Sequence, residues 1–362
     1  MADFITLVVV YMVFFLLTAY IILCGDSEFH RHGIVGKLRS AVVQVVAFIF
    51  YVCFPRRLQA LVTDVITYLF YRRNHYIQAL YIIIFLGVLW VFSTQVHPRA
   101  KALDLPLVHT VVPYVGLAIN LAIFVTCCRS DPGIITKKNH DKYARLFEYD
   151  GILYKEGVSC RTCRFIKPAR SKHCAYCNHC VYRFDHHCSW VDNCIGGGNA
   201  RYFLLLLASI TFVTLYVSFV TGRVLQGVAA KSGIWQAGYV GADGQFHQVN
   251  ARIVFQHLFI QLPAPVFLMT SLLLLGTLIA AFLTYHLFLL LSNQTTNERY
   301  KRSRVTVGVT QSRPSKGQSR GGSGKPREGS AYRSQEPNCP TAHRAYNQGL
   351  VGNVLEIVFP PS

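Results

Sequence analysis

The sequence predicts an α-helical polytopic membrane protein with about five transmembrane helices and a small cysteine-rich module between the third and the fourth. Two observations support this prediction. Of the 362 residues, 52% are hydrophobic and only 15% are charged, whereas soluble proteins carry about a quarter charged residues. In addition, seven of the twelve cysteines and four of the fourteen histidines lie between Cys160 and Cys194.

Five apolar runs are long enough to cross a bilayer core of about 30 Å. They cover residues 4–24, 76–96, 105–128, 202–221 and 263–291. The first run could instead be a cleaved signal peptide. However, it has no basic region before it and is longer than the typical hydrophobic stretch of about 7–15 residues. We therefore predict that residues 1–24 form an N-terminal transmembrane anchor.

Residues 25–75 form a basic segment with two shorter apolar runs, 41–54 and 58–71. The first run is short for a membrane span, and the second is interrupted by Asp64 and is typical of an amphipathic surface helix. Loops rich in lysine and arginine face the cytosol. This rule predicts that segments 25–75, 129–201 and 292–362 are cytosolic and that the N-terminus is lumenal.

The remaining segments follow from the same patterns. Residues 76–128 hold transmembrane helices 2 and 3, 129–201 form the cysteine-rich module, and 202–291 hold helices 4 and 5 with a lumenal loop at 222–262. The tail, 292–362, contains a basic region at 299–345 whose composition is typical of disorder. An apolar patch at 349–359 is expected to dock back on the folded part.

The module offers eleven metal-ligand side chains within 35 residues. They are Cys160, Cys163, His173, Cys174, Cys177, His179, Cys180, His186, His187, Cys188 and Cys194. Two of the pairs have CxxC spacing, which lets both sulfurs bind one metal. Because a structural zinc takes four ligands, two zinc ions would use eight and leave three.

A net charge of +19 is compatible with nucleic acid, the anionic cytoplasmic leaflet or a polyphosphate ligand. Because the chain is so apolar, we favour the membrane and a soluble anionic cofactor, and we expect no nucleic acid.

The run from Asp185 to Cys188 has a spacing of its own. In an extended segment, residues two apart face the same way, so His186 and Cys188 would share one side and His187 the other. A thiol beside an imidazole can lose its proton and act as a nucleophile, and Asp185 could orient that imidazole. Alternatively, Cys188 is another metal ligand and Asp185 a solvated charge. Spacing alone leaves both interpretations open.

These residues resemble the signature of the DHHC-type protein S-acyltransferases. The similarity extends from Cys160 to Phe203 with every spacing intact, and includes the Asp185-His186-His187-Cys188 run. Asp131-Pro132-Gly133 is similar to the family's DPG turn, and Thr295-Thr296-Asn297-Glu298 to its TTxE motif. More loosely, the segment around Asn353 resembles the family's C-terminal motif.

The resemblance implies a role for each ligand. Cys160, Cys163, His173 and Cys180 would form the first zinc site, and Cys174, Cys177, His187 and Cys194 the second. Both zinc ions would be structural. His186 would be the base, Cys188 the nucleophile and Asp185 the residue that orients His186, while His179 would be incidental. The acyl donor would be palmitoyl-CoA.

The family resemblance also bears on substrates and location. Acceptors would be juxtamembrane cytosolic cysteines of substrate proteins at the lipid bilayer. The additional N-terminal span resembles one mammalian subtype and implies the endoplasmic reticulum membrane, with the Golgi or plasma membrane as alternatives.

A second hypothesis remains: a catalytically inactive, membrane-anchored zinc-binding adaptor. It needs no acyl cavity, and it predicts that loss of metal, but not loss of the Cys188 thiol, removes binding to its partner.

Overall fold

The structure is a computed structural model that describes residues 33–71, 75–240, 244–302 and 346–360, with a few single helical positions between 10 and 21. The helices are α1 (Ile34–Cys53), α2 (Arg56–Tyr71), α3 (Tyr76–Val91), α4 (His97–Ala102), α5 (Leu107–Arg129), α6 (His140–Ala144), α7 (Ala200–Lys231), α8 (Ala251–Gln261), α9 (Pro263–Leu291) and α10 (Gly349–Val358). The strands are β1 (Ile134–Ile135), β2 (Lys172–Cys174), β3 (His179–Val181), β4 (His186–Cys188), β5 (Asn193–Ile195), β6 (Gly238–Val240) and β7 (Phe246–Gln248).

Five helical segments among the described residues are long and apolar enough to cross a membrane. They are Ile34–Cys53, Tyr76–Ala102, Leu107–Arg129, Ala200–Lys231 and Pro263–Leu291. The cysteine-rich module lies between the third and the fourth of them. This confirms the predicted class, an α-helical polytopic membrane protein with a cysteine-rich module at that position.

The first of these segments differs from our prediction. The expected anchor at 4–24 falls almost entirely outside the described residues, whereas α1 begins at Ile34, seven residues before the apolar run that we judged too short. Lys37 and Arg39 lie in its first turns, where long basic side chains can extend to the membrane surface. The sidedness of segment 25–75 stays a prediction.

Two predicted spans continue further than expected. Helix α7 ends at Lys231, ten residues past the predicted boundary, because Val224, Leu225 and Ala229 remain buried. The helix of the second predicted span also continues past residue 96, as α4, after a π-helical turn at Phe92–Val96.

The chain forms two compact units. The first comprises Met1–Asn74 and Ile234–Gln261. Its described elements are α1, α2, a short 3-10 turn, the antiparallel β6–β7 hairpin and α8. The second comprises His75–Gly233 and Leu262–Ser362 and contains the cysteine-rich module.

In the second unit, α7 packs against both α5 and α9. Buried valines of α7 and the π-turn residues Phe92 and Val96 form its core. Gly276 permits the close approach of α9, because a Cβ there would lie 2.7 Å from the Thr214 hydroxyl oxygen. Small residues at such crossings let helix backbones pack closely in membranes.

The module is built from very short strands. Strand β3 lies between β1 and β2 in a three-stranded antiparallel sheet, and β4 pairs with β5 in a separate hairpin. Such short strands bury little apolar area, so the module needs another source of stability, such as bound metal.

A buried ionic network joins the module to the segment after α9 and to α10. Arg170 is fully buried, donates through Nε and Nη2 to the two carboxylate oxygens of Glu298 at 2.7 and 3.0 Å, and lies between the rings of Phe147 and Tyr346. Glu356 of α10 forms an ion pair with Arg183, in which the carboxylate oxygen Oε1 lies 3.0 Å from Nε. The apolar patch at 349–359 thus docks back, as expected, as helix α10.

Candidate active site and metal centres

Side chains from the module converge at two points. Cys160, Cys163, His173 and Cys180 form the first group, and Cys174, Cys177, His187 and Cys194 the second. Within each group the ligand atoms lie within 4.8 Å of one another. The structure therefore brings the expected ligands together in the expected partition.

Strand register explains why these ligands meet. His173 is paired with Cys180 across β2–β3, and His187 with Cys194 across β4–β5. Residues directly opposite each other have Cβ atoms about 4.5–5.5 Å apart. Each hairpin therefore contributes one imidazole and one thiol, and a CxxC turn contributes the other two sulfurs of each group.

The spacing of the ligand atoms fits tetrahedral zinc. The His173 Nδ1 atom lies 3.6, 3.4 and 3.8 Å from the sulfurs of Cys160, Cys163 and Cys180. A tetrahedral ion with the usual Zn–S and Zn–N lengths places nitrogen and sulfur about 3.6 Å apart. In the second group, Nδ1 of His187 lies 3.4 and 3.8 Å from two of its sulfurs. Both groups can hold zinc, and neither includes His179.

These centres yield a prediction about metal content. We expect His187→Ala to lower the zinc content from two ions per chain to one, because it removes one of four ligands from the second group. His179→Ala is the matched control, since it removes a module imidazole that belongs to neither group, and should retain both ions. Elemental analysis of the purified variants measures this. Equal zinc loss in both variants would contradict the assignment.

Strand β4 carries two remaining candidates, His186 and Cys188, and Asp185 lies directly before it. His186 and Cys188 line an apolar cavity, whereas the imidazole of His187, a residue that also borders this cavity, belongs to the second metal group. Nδ1 of His186 lies 2.6 Å from a carboxylate oxygen of Asp185. When Nδ1 donates that hydrogen bond, Nε2 is the nitrogen left for the Cys188 thiol.

The protonation of this group follows from its contacts. Burial raises the pKa of the Cys188 thiol, but hydrogen bonding to His186 and the imidazole charge outweigh it, so the net pKa lies below its ordinary value. Burial likewise lowers the pKa of His186, whereas its hydrogen bonds to Asp185 and Cys188 raise it to about 9. Both shifts favour a thiolate beside an imidazolium over the neutral pair.

The TTxE motif holds Asp185 from the other side, a contact that the sequence reasoning missed. Thr295 and Glu298 form a capping box, in which the Glu298 carboxylate accepts the Thr295 N–H at 3.0 Å and the Thr295 hydroxyl accepts the Glu298 N–H at 3.2 Å. That turn presents Thr296, whose N–H and hydroxyl both donate to Asp185, at 2.5 and 3.2 Å. The TTxE motif is the sequence feature that could have pointed to this contact.

The cavity beyond Cys188 has a volume of about 560 Å³. Its walls come from α3, α5, α7 and α9, and on α7 they extend from Phe203 to Thr214. At 1.5 Å per residue, this stretch runs for about 16 Å. The helical part of the lining is apolar apart from Tyr81, Asn120 and Thr214, and the Tyr81 hydroxyl donates to Asn120 at 2.5 Å. Other polar lining residues, among them His186, His187 and Ser189, belong to the module. A long hydrocarbon chain fits these properties.

Fold and site together define a class: an integral membrane enzyme whose metal-binding module holds a thiol in the wall of a cavity suited to an acyl chain. Comparison with known proteins identifies the family. Residues 153–303 match the family model described as DHHC palmitoyltransferase.

Curated relatives agree with that match. The chain is 35% identical to palmitoyltransferase ZDHHC4 of Bos taurus over 303 residues, which cover 84% of this chain and 86% of the relative. It is also 35% identical to ZDHHC4 of Mus musculus, over 83% and 85% of the two chains. Palmitoyltransferase swf1 of Schizosaccharomyces pombe is 34% identical over 53% of this chain and 54% of its own length.

The chain belongs to the DHHC palmitoyltransferase family, and it is a protein S-palmitoyltransferase. The predicted family and the predicted mammalian subtype, the fourth-numbered one, are confirmed.

Proposed function

We propose that the protein transfers a palmitoyl group from palmitoyl-CoA to cysteines of substrate proteins through an acyl-enzyme on Cys188. The observation that carries this proposal is the division of roles along β4: His186 and Cys188 line the apolar cavity and belong to neither metal group, whereas the imidazole of His187 belongs to the second metal group. A thiolate in the wall of such a cavity meets the thioester carbonyl of a donor whose acyl chain lies inside.

In the first half-reaction, the Cys188 thiolate attacks the thioester carbonyl. A new carbon–sulfur bond forms, and the bond to the CoA sulfur breaks. The His186 imidazolium gives its proton to the leaving CoA thiolate, and Asp185 keeps the ring oriented through the hydrogen bond to Nδ1. The products are free CoA and the Cys188 thioester.

In the second half-reaction, neutral His186 takes the proton of an acceptor cysteine. The resulting thiolate attacks the acyl-enzyme carbonyl, and Cys188 leaves as the thiolate. This step restores the thiolate–imidazolium pair, so one imidazole serves first as acid and then as base. Splitting the transfer into two steps is nucleophilic catalysis.

Zinc, when bound, would make the module rigid by linking its short strands. It would not take part in the reaction, because two four-ligand sites leave no open position for water or substrate. The chain itself then fixes the nucleophile. His187 holds β4 to the second group, and the paired strand β5 holds Cys188 opposite Asn193. Asn193 in turn donates to the carbonyl of Ser130 at 2.8 Å, next to the end of α5.

We further propose that the module faces the cytosol and that the protein resides in the endoplasmic reticulum membrane. The lysine- and arginine-rich segments 129–201 and 292–362 support this orientation, because such segments face the cytosol. An acceptor cysteine close to the membrane surface would reach Cys188 in the cavity wall.

A transfer assay tests this proposal against the adaptor hypothesis. Purified protein receives palmitoyl-CoA and a membrane-anchored peptide with one juxtamembrane cysteine. We expect thioester palmitoylation of the peptide by the wild type and none by Cys188→Ala. If that variant acylates the peptide as fast as the wild type, the proposed function of Cys188 fails.

A further inference from the structure

A second, much smaller cavity lies beside Asp185. Its volume is about 30 Å³, which exceeds the roughly 10–15 Å³ that a water molecule requires. The cavity is lined by the polar residues Arg183, Asp185, His286, Gln294 and Thr295 and by apolar residues, among them Phe203. Phe203 also lines the acyl cavity, so one ring borders both spaces.

His286 is the unusual member of this lining. It belongs to α9, a span that contains no Asp, Glu, Lys or Arg. His286 is only 7% exposed, and it borders the small cavity. A polar side chain at membrane depth is by default a candidate for function.

Ring contacts fix the orientation of His286. The rings of Phe203 and Phe282 meet it edge to face at 5.1 and 4.5 Å between centroids. The His186 ring lies 6.0 Å away. His286 is therefore held close to the catalytic imidazole.

Asp185 has acceptor capacity left on the cavity side. A carboxylate offers about four lone-pair sites. Nδ1 of His186 and the N–H and hydroxyl of Thr296 use three. Because Asp185 and His286 both line the small cavity, one water molecule there can donate to the carboxylate and also bond a ring nitrogen of His286.

We propose that His286 is a positioning residue for the acyl transfer, which acts through a water molecule in this cavity on Asp185. The inference rests on the proposed function of Asp185, His186 and Cys188. The bridge completes the hydrogen bonds of the carboxylate. It keeps Asp185, and with it the His186 ring, in one orientation while that ring gives up and regains its proton.

Three variants of the full-length protein test the proposal. His286→Phe keeps an aromatic ring but removes both nitrogens. His286→Gln restores a donor and an acceptor at similar reach. Tyr285→Phe is the matched control, because it removes one hydroxyl group from the neighbouring residue of the same helix. Tyr285 is 36% exposed and lines neither cavity. Single-turnover acylation of Cys188 by palmitoyl-CoA gives the rate and the apparent KM, and thermal unfolding gives Tm.

We expect His286→Phe to lower the acylation rate about tenfold, the lower end of effects from removing an orienting outer residue. KM should change less than about twofold and Tm should not fall, because the acyl cavity and the ring packing remain. His286→Gln should recover most of the rate, and Tyr285→Phe should behave as wild type.

Two results would overturn the inference: an unchanged rate in His286→Phe, or equal defects in the Phe and Gln variants, which would mean that a donor and an acceptor at this position do not restore the rate. Failure of the proposed function would look different, because the wild type itself would then carry no acyl group on Cys188.

Discussion

Cys188→Ser is expected to abolish the thioester acyl-enzyme and to lower palmitoyl transfer by roughly 10³-fold or more. A serine hydroxyl has no thiolate form and is a weak nucleophile at neutral pH without activation. The zinc content should stay at two ions, because Cys188 belongs to neither ligand group. Incubation with palmitoyl-CoA, followed by intact-mass and elemental analysis, measures both quantities.

Cys53→Ser is the matched control for this change. Cys53 is an exposed cysteine near the end of α1, far along the chain from the module. This variant should form the acyl-enzyme as the wild type does. A hydroxylamine-sensitive thioester adduct on the module of Cys188→Ser would show that another cysteine is the nucleophile, and loss of zinc from that variant would show that Cys188 contributes to a metal centre.

Arg170→Met has the second large expected effect, on stability. The substitution removes the bidentate partner of the Glu298 carboxylate, which is 3% exposed. Leaving a buried charge without its partner costs about 3–5 kcal/mol, so Tm should fall on the order of 10 °C. The capping box that presents Thr296 to Asp185 depends on the same carboxylate, so palmitoyl transfer should fall as well.

Two further variants test the cause. Arg161→Met changes an exposed arginine of the same module and should alter stability by no more than about 0.5 kcal/mol. The double variant Arg170→Met/Glu298→Gln should lose less stability than the two single effects added together, because the glutamine carries no charge that needs a partner. Strict additivity would argue against the ion pair as the source of the effect.

Much of the fold followed from local patterns in the sequence. Apolar runs predicted the membrane helices, and CxxC spacing predicted metal. Boundaries were less accurate where apolar residues alternate with isolated polar ones. Helix α7 continues to Lys231 because burial of one helix face is enough to extend it. The mean hydropathy of the sequence falls there, because it averages over the polar face as well.

The partition of the ligands could not be derived from spacing. It depends on which cysteine lies opposite each histidine in the hairpins, for example Cys180 opposite His173, and strand register is a property of the folded module. Family resemblance supplied the partition, and cross-strand pairing gives its physical reason.

The contacts that hold Asp185 were beyond sequence reasoning for a different reason. Thr296 is 111 residues away along the chain, and no periodicity relates the two positions. The sequence likewise does not relate His286 to Asp185, and only in the folded protein do the two residues line one small cavity.

The most direct test of the account is to locate the acyl group. Wild-type protein is incubated with palmitoyl-CoA without an acceptor, digested at low pH to preserve thioesters, and mapped by mass spectrometry. The account predicts palmitate on the peptide that contains Cys188, released by neutral hydroxylamine, with the other module cysteines unmodified. Palmitate on a different cysteine, with Cys188 free, would contradict it.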